Sequence, residues 1–144
     1  MFVEGIIIVA DLDRFDEFVE EHGLSRYRPN DVTGTLTHLF YNFTTRWRGV
    51  VIYGLDFGRG TEEIIIEIPV PDELDNIVNE LKQIKKTINE LGVSITIVVI
   101  RDYVSCRPAR SRKEAYYGTP GRKRAIRLLK SIKRKGGNTI YIEV

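Results

Sequence analysis

The chain has 144 residues, 42% of them hydrophobic and 29% charged, with one Trp, seven Tyr and six Phe. This is one domain's length, residues 1–144, with enough chain for a hydrophobic core, and the composition excludes a collagen-like or disordered polypeptide. No apolar run approaches the ~20 residues of a membrane span.

The formal net charge of +2 is unevenly spread: residues 1–106 carry a net −8 and residues 107–144 a net +10. Such a split suits an acidic site facing a basic one, or a basic surface for phosphates; the plain alternative is a solvated face on a terminal helix. Phe2-Val3-Glu4 leads straight into a strand-like run with no basic segment before it, so no secretory leader is expected. The single cysteine, Cys106, can form no internal disulfide, and the expected location is the reducing cytoplasm.

Glu4 to Ala10 reads as a strand buried on both faces, because Ile6, Ile7, Ile8 and Val9 follow one another without a polar break. Asp11-Leu12-Asp13 ends it. Phe15, Phe18, Val19 and His22 then predict a short helix stopped by Gly23. The next helix starts at a cap provided by Asn30 or Asp31 and carries Val32, Leu36, Leu39, Phe40 and Phe43 on one stripe. Val50–Tyr53 and Ile64–Ile68 read as a hairpin across the glycine-rich turn Gly54–Thr61.

After Pro69-Val70-Pro71, Asp72 is the expected cap of a long amphipathic helix, with Asp75 completing a capping box; Leu74, Ile77, Val78, Leu81, Ile84, Ile88 and Leu91 form its apolar face. Val93–Ile100 is a further strand and Arg101–Thr119 a loop. Thr119 caps a final helix with Pro120 at its first position. On that helix Ala125, Leu128, Leu129 and Ile132 face inward, and Arg122, Lys123, Arg124, Arg127, Lys130 and Lys133 are assigned to solvent. Gly136-Gly137 end it before an edge strand, Thr139–Val144.

The order β-α-α-β-β-α-β-α-β contains a βαββαβ unit and predicts an α+β, ferredoxin-like core with an additional C-terminal helix and strand. This arrangement sets the helices on one face of the sheet. The strands nevertheless read as buried on both, so the second face requires either the basic C-terminal loop or a second copy of the chain.

Asp11, directly after a hydrophobic strand, is held by its neighbours' packing, and Asp13 points the same way if the chain stays extended. With the carbonyl of Leu12 they offer oxygen ligands of the kind Mg²⁺ takes together with water and phosphate. Asp56, in the hairpin turn, comes near Asp11 if the inner strands pair, and Glu62 and Glu63 lie within reach. The competing reading has Asp11 or Asp13 cap the short helix. Arg26 and Arg28, in the loop beside this end, are candidate phosphate ligands.

His22 and His38 stand alone, without the Cys partners of a zinc site. Arg107 beside Cys106 favours a thiolate, but no His partner supports a nucleophile. No phosphate-binding Gly-x-x-x-x-Gly-Lys-Ser/Thr run occurs. Arg107, Arg110, Arg112, Lys113, Arg122, Lys123 and Arg124, interleaved with Tyr116 and Tyr117, instead suit single-stranded nucleic acid, and an RNA-binding module without chemistry is the main rival class. The strands lack the exposed aromatics usual in such modules. A structural or interaction subunit is a third class.

Asp11-Leu12-Asp13-Arg14-Phe15 resembles the Asp-x-Asp-x-Phe start of GGDEF-type nucleotidyl cyclases, and Tyr53-Gly54-Leu55-Asp56-Phe57 a divergent form of their Gly-Gly-Asp-Glu-Phe hairpin. Leu129-Lys130 through Lys135-Gly136-Gly137-Asn138-Thr139-Ile140 is similar to the closing helix, turn and strand of that class. The organisation also resembles the archaeal GTP cyclohydrolase III family, which has two such halves where this chain has one. The resemblance implies a palm-type fold, a purine nucleotide with GTP favoured, Mg²⁺ held by Asp11, the Leu12 carbonyl and Asp56, phosphates touched by Lys130 or Lys133, and a homodimer. The hairpin departs from the signature, lacking its Gly-Gly pair and one acid, so no catalytic residue is assigned.

Overall fold

The computed structural model describes residues 2–144. The chain runs β1 (Val3–Asp13), α1 (Phe15–Glu21), α2 (Asp31–Arg46), β2 (Val50–Tyr53), β3 (Glu63–Pro69), α3 (Leu74–Glu90), β4 (Ser94–Val104), α4 (Arg112–Tyr117), α5 (Pro120–Arg134) and β5 (Ile140–Glu143). The sheet order is β2-β3-β1-β4-β5, antiparallel throughout except for the parallel β4–β5 pair. This is the expected α+β core with its added helix and strand.

Strand alternation sorts the unbroken Ile/Val run of β1 between two cores. Ile6, Ile8, Ala10 and Leu12 pack with α1, α2 and α3, including Leu36, Phe40, Phe43, Leu81 and Ile88. Ile7 and Val9 pack on the opposite face with Ala115, Tyr116, Ala125, Ile126 and Leu129 of α4 and α5. The expectation that helices cover one face is therefore corrected: the parallel crossover from β4 to β5 carries α4 and α5 over the second face, with Cys106 and Ala109 of the expected loop segment packed beside them, and no second copy is needed to bury it.

Asn30 caps α2, its side chain accepting from the Val32 and Thr33 amides while Thr33 reaches back to the Asn30 amide. Thr119 caps α5 by accepting from the Arg122 amide, with Pro120 at the first turn. Asp72 does not cap α3: Glu73 holds that position without a side-chain bond, so α3 is fixed by its packed face. The segment Arg101–Thr119 is less irregular than expected, because β4 continues to Val104 and Ser111 caps α4 by accepting from the Glu114 amide.

The assignment of Arg122 to solvent is also corrected. Its side chain is 3% exposed and pairs with Glu67, wholly buried in β3. Ile126, not singled out by the helical spacing, is buried beside it.

Candidate functional site at the C-terminal end of the central strand

β1 does not stop at Ala10 but runs through Asp11 and Leu12 to Asp13. It pairs with β4 through Leu12–Ile95 and Asp13–Ser94, so the alternation that aims Ile7 and Val9 at α5 also aims Asp11 and Asp13 there. Leu12 buries its side chain on the other face, while its amide donates to the Glu62 carbonyl at 3.0 Å. Lys133 comes down from the last turn of α5, its Nζ lying 2.7 Å from Asp11 Oδ2, 3.0 Å from the Leu12 carbonyl oxygen and 3.4 Å from Asp13 Oδ1. Burial pushes the Asp11 carboxyl above its ordinary value; Lys133 opposes that shift without cancelling it, and Glu63 and Asp13 add to it.

Asp13 is buried and has a different set of partners. Thr96 Oγ1 donates to its Oδ1 at 2.8 Å and the Asn138 amide to its Oδ2 at 2.8 Å. It ties β1 to β4 and to the turn after α5, and it does not cap α1, whose cap position is held by Arg14 with no side-chain bond.

Glu63 is the cross-strand partner of Asp11 in the β1–β3 register. Arg112 grips it with two bonds, Nε to Oε1 at 2.9 Å and Nη2 to Oε2 at 3.1 Å. The Tyr116 hydroxyl donates to Glu63 Oε1 at 3.1 Å and accepts from Arg112 Nη2 at 2.8 Å, and the guanidinium lies 4.6 Å from the Tyr116 ring centre. Burial, and then the Glu63 charge, raise the Tyr116 hydroxyl above the usual phenol range.

Two open clefts adjoin these acids. One, of about 390 Å³, runs along the hairpin and is lined by Tyr53, Asp56, Arg59, Glu62, Glu63 and Arg112 among others. The other, of about 440 Å³, lies between α4 and α5 and includes Asp11, Lys113, Tyr117, Lys130, Lys133 and again Arg112. Arg112 thus borders both.

Asp56 lines the hairpin cleft and Asp11 the other. The Asp56 carboxylate accepts from the amides of Gly58 and Arg59 at 3.0 and 2.8 Å, closing its own turn. Among the described residues no three His, Cys, Asp or Glu side chains cluster in a way that would hold a metal. The donor chemistry at the β1–β3 pairing nevertheless fits a hard cation: Asp11, Glu63 and the Leu12 carbonyl are all oxygen ligands, and Mg²⁺ is commonly held by one or two carboxylates with water and phosphate completing its shell.

The other expected ligands are dispersed. Arg26 pairs with Asp16 at 2.6 Å on the surface, and Arg26 and Arg28 line neither cleft. Lys130 is exposed, with its Nζ 5.9 Å from the Tyr116 ring centre. Of the basic set, Arg107, Arg110, Lys113 and Lys123 are exposed. Arg124 is held by Asp102, the Arg101 carbonyl and Glu143.

His22 stacks on Phe18 and His38 lies edge-on to Phe57. Cys106 corrects an expectation: burial and Glu67 raise its thiol, and no thiolate is favoured by Arg107. Glu63 is only one of several acids within reach in the sequence, and nothing local pairs Arg112 with it; the β1–β3 register is what sets Glu63 opposite Asp11.

A scan against protein-family models finds no match, and a search of curated protein sequences finds none. Solved structures do match. A microbial GGDEF domain studied with bis-(3',5')-cyclic di-GMP superposes with a TM-score of 0.52 at 14% identity, covering 98% of this chain and 78% of that one. The guanylyl cyclase Cya2 gives 0.53 at 17% identity, covering 99% and 75%. The dimeric guanylyl cyclase domain of the RhoGC fusion protein from the aquatic fungus Blastocladiella emersonii gives 0.54 at 12% identity, covering 97% and 79%. On its βαββαβ sheet, the chain has the palm-type fold of GGDEF domains and nucleotidyl cyclases.

Proposed function

We propose that the chain binds a purine nucleoside triphosphate, GTP in preference to ATP, with Mg²⁺ at the β1–β3 pairing, and carries out cyclase-type or GTP cyclohydrolase-like chemistry. The observation that carries this reading is the cross-strand pair Asp11–Glu63, joined by the Leu12 carbonyl and bordered by a cleft with Lys113, Lys130 and Lys133 on its wall. Asp11, Glu63 and the Leu12 carbonyl hold the metal. Asp56, bordering the neighbouring cleft, is assigned to its outer shell. Once bound, the metal supplies charge neutralisation on the phosphates or, for hydrolysis of the base, acidifies a water.

The chain's own residues do the rest. Lys130 and Lys133 neutralise phosphate charge from the α5 side, and Arg112, its fork closed on Glu63, holds that acid in place at the edge of the cleft. Arg26 and Arg28 reach the phosphates by approach of the loop that carries them. The assembly is a homodimer, a reading supported by the dimeric fungal cyclase domain of like fold. No helix among the described residues is long and apolar enough to cross a membrane. Together with the single cysteine, this supports a cytoplasmic setting.

Nucleic-acid binding through Arg107, Arg110, Arg112, Lys113, Arg122, Lys123 and Arg124 is the competing reading. It is weakened because Arg122 is buried and Arg112 and Arg124 are ion-paired. Calorimetry with GTP and ATP, with Mg²⁺ and then with chelator, on the parent and Asp11→Ala separates the two. Binding that needs both metal and Asp11 supports the nucleotide reading. No nucleotide binding, with a salt-steep titration of an oligonucleotide, overturns it.

A further inference from the structure

Lys133 makes contacts that a cation bound at this end of β1 would make. Its ammonium lies 2.7 Å from an Asp11 oxygen, 3.0 Å from the Leu12 carbonyl and 3.4 Å from an Asp13 oxygen. Opposite Asp11, Glu63 is held in the same way by Arg112 at 2.9 Å. Asp11, Asp13 and Glu63 bring three formal negative charges, and Lys133 and Arg112 return two positive ones. Both cations also border the α4–α5 cleft. A charge leaving the acids therefore has a second place to go, facing whatever anion the cleft receives.

We propose that Lys133 and a divalent cation are alternative occupants of one oxygen set, Asp11 with the Leu12 carbonyl, so that metal entry releases Lys133 into the α4–α5 cleft. The inference rests on the metal-dependent reading given above and adds its regulation: without a phosphate ligand to receive Lys133, the chain holds divalent metal weakly, and metal and phosphate ligand bind together. A divalent ion and an ammonium cannot share the Leu12 carbonyl and Asp11 oxygen at contact distance, since their like charges repel. Freed of its carboxylate, the ammonium turns its unit charge toward phosphate.

The test is a titration with Mn²⁺ alone, read by loss of the free-ion electron paramagnetic resonance signal, with no nucleotide present. Lys133→Met is expected to bind Mn²⁺ about fivefold tighter than the parent, the scale of one partly exposed ion pair. Lys133→Gln, which keeps a polar end, guards against misfolding of the methionine variant and is expected to shift the same way. Lys113→Met is the control for simple charge removal, since Lys113 lines the same cleft and has no ion pair among the described residues. It is expected to change affinity by less than about twofold.

Unchanged or weaker Mn²⁺ binding in both Lys133 variants overturns the exchange, as does an equal gain in Lys113→Met. The two readings fail separately. Asp11-dependent binding of GTP with Mg²⁺, beside Lys133 variants that gain nothing, removes only the exchange. Mn²⁺ binding that survives Asp11→Asn removes the metal seat itself.

Discussion

Arg122 of α5 and Glu67 of β3 form an ion pair at 3.2 Å inside the core, with their side chains 4% and 0% exposed. Neither charge is left with a single partner. Glu67 Oε1 accepts from the Cys106 amide at 2.8 Å, and Arg122 donates to the Ala115 and Glu114 carbonyls at 2.7 and 3.2 Å. One buried pair thus fastens the middle of the sheet to the loop after β4, to α4 and to α5. α4 is the helix that sets Arg112 and Tyr116 over Glu63.

Removing one member strands the other. Glu67→Leu or Arg122→Met alone is expected to cost about 3–5 kcal/mol in urea unfolding, because an unpaired charge remains buried. The double variant is expected to be more stable than either single one, since both desolvation costs vanish together. A double variant as unstable as the sum of the singles would mean that the pair matters through its packing and not its charge.

The same carboxylate controls Cys106. Burial and the neighbouring Glu67 charge both disfavour the thiolate, so the pH midpoint for iodoacetamide alkylation of the folded protein is expected above that of a free cysteine. The sign follows for stability as well. A thiol whose folded value is raised contributes stability that is complete below its unfolded value and lost as pH rises through the folded one. Glu67→Gln removes the charge while keeping the side chain's shape and one acceptor oxygen; it should bring the alkylation midpoint down. An unchanged midpoint would assign the shift to burial alone.

The sequence carried the element order, the Asn30 and Thr119 caps and the hairpin, because each is written in local signals: a capping side chain, a Pro at a first turn, glycines between β-branched runs. The second face of the sheet was legible only as a puzzle. The unbroken run Ile6–Val9 says that both faces are buried, and Ala125, Leu128, Leu129 and Ile132 read as an inward stripe, but nothing local says that this stripe crosses to the second face, and Arg122 looks like a solvent residue. At the site, Asp11 and Leu12 are nameable from their place after a hydrophobic strand, whereas Lys133 reads as a solvent residue and is pointed to, together with Lys130, only by the resemblance. The pairing of Asp11 with Glu63, and of Glu63 with Arg112 forty-nine residues away, is a matter of register and crossover and has no local signature.

The turn after α5 is crowded by that site. Gly137 has φ of +65°, and a Cβ there would sit 2.8 Å from Asp13 Oδ2 and 2.9 Å from Thr96 Oγ1. Gly23 has nearly the same φ, +62°, with nothing within 4 Å of such a Cβ. Gly23→Ala is expected to cost about 1 kcal/mol, the strain of a left-handed alanine. Gly137→Ala is expected to cost about 1–2 kcal/mol more, because the Asp13 carboxylate must leave the Asn138 amide to make room. Equal costs in chemical denaturation would mean that the Asp13 side chain yields freely.

Asp11 and Asp13 look equivalent in the sequence and differ in what holds them. Asp13 is buried and accepts from Thr96 and Asn138, so Asp13→Ala leaves the buried Thr96 hydroxyl without its acceptor and is expected to lose about 1–3 kcal/mol of folding stability. Asp11 is partly exposed, is disfavoured as a carboxylate by its burial, and has Lys133 as its hydrogen-bonding partner. Lys133 keeps the Leu12 carbonyl and Asp13 when Asp11 is gone. Asp11→Ala is therefore expected to unfold within about 1 kcal/mol of the parent, while losing metal-dependent GTP binding. Urea denaturation of the two variants beside calorimetry of each separates the roles. An Asp11→Ala protein that is the less stable of the two would make Asp11 a structural acid and shift the metal seat away from the end of β1.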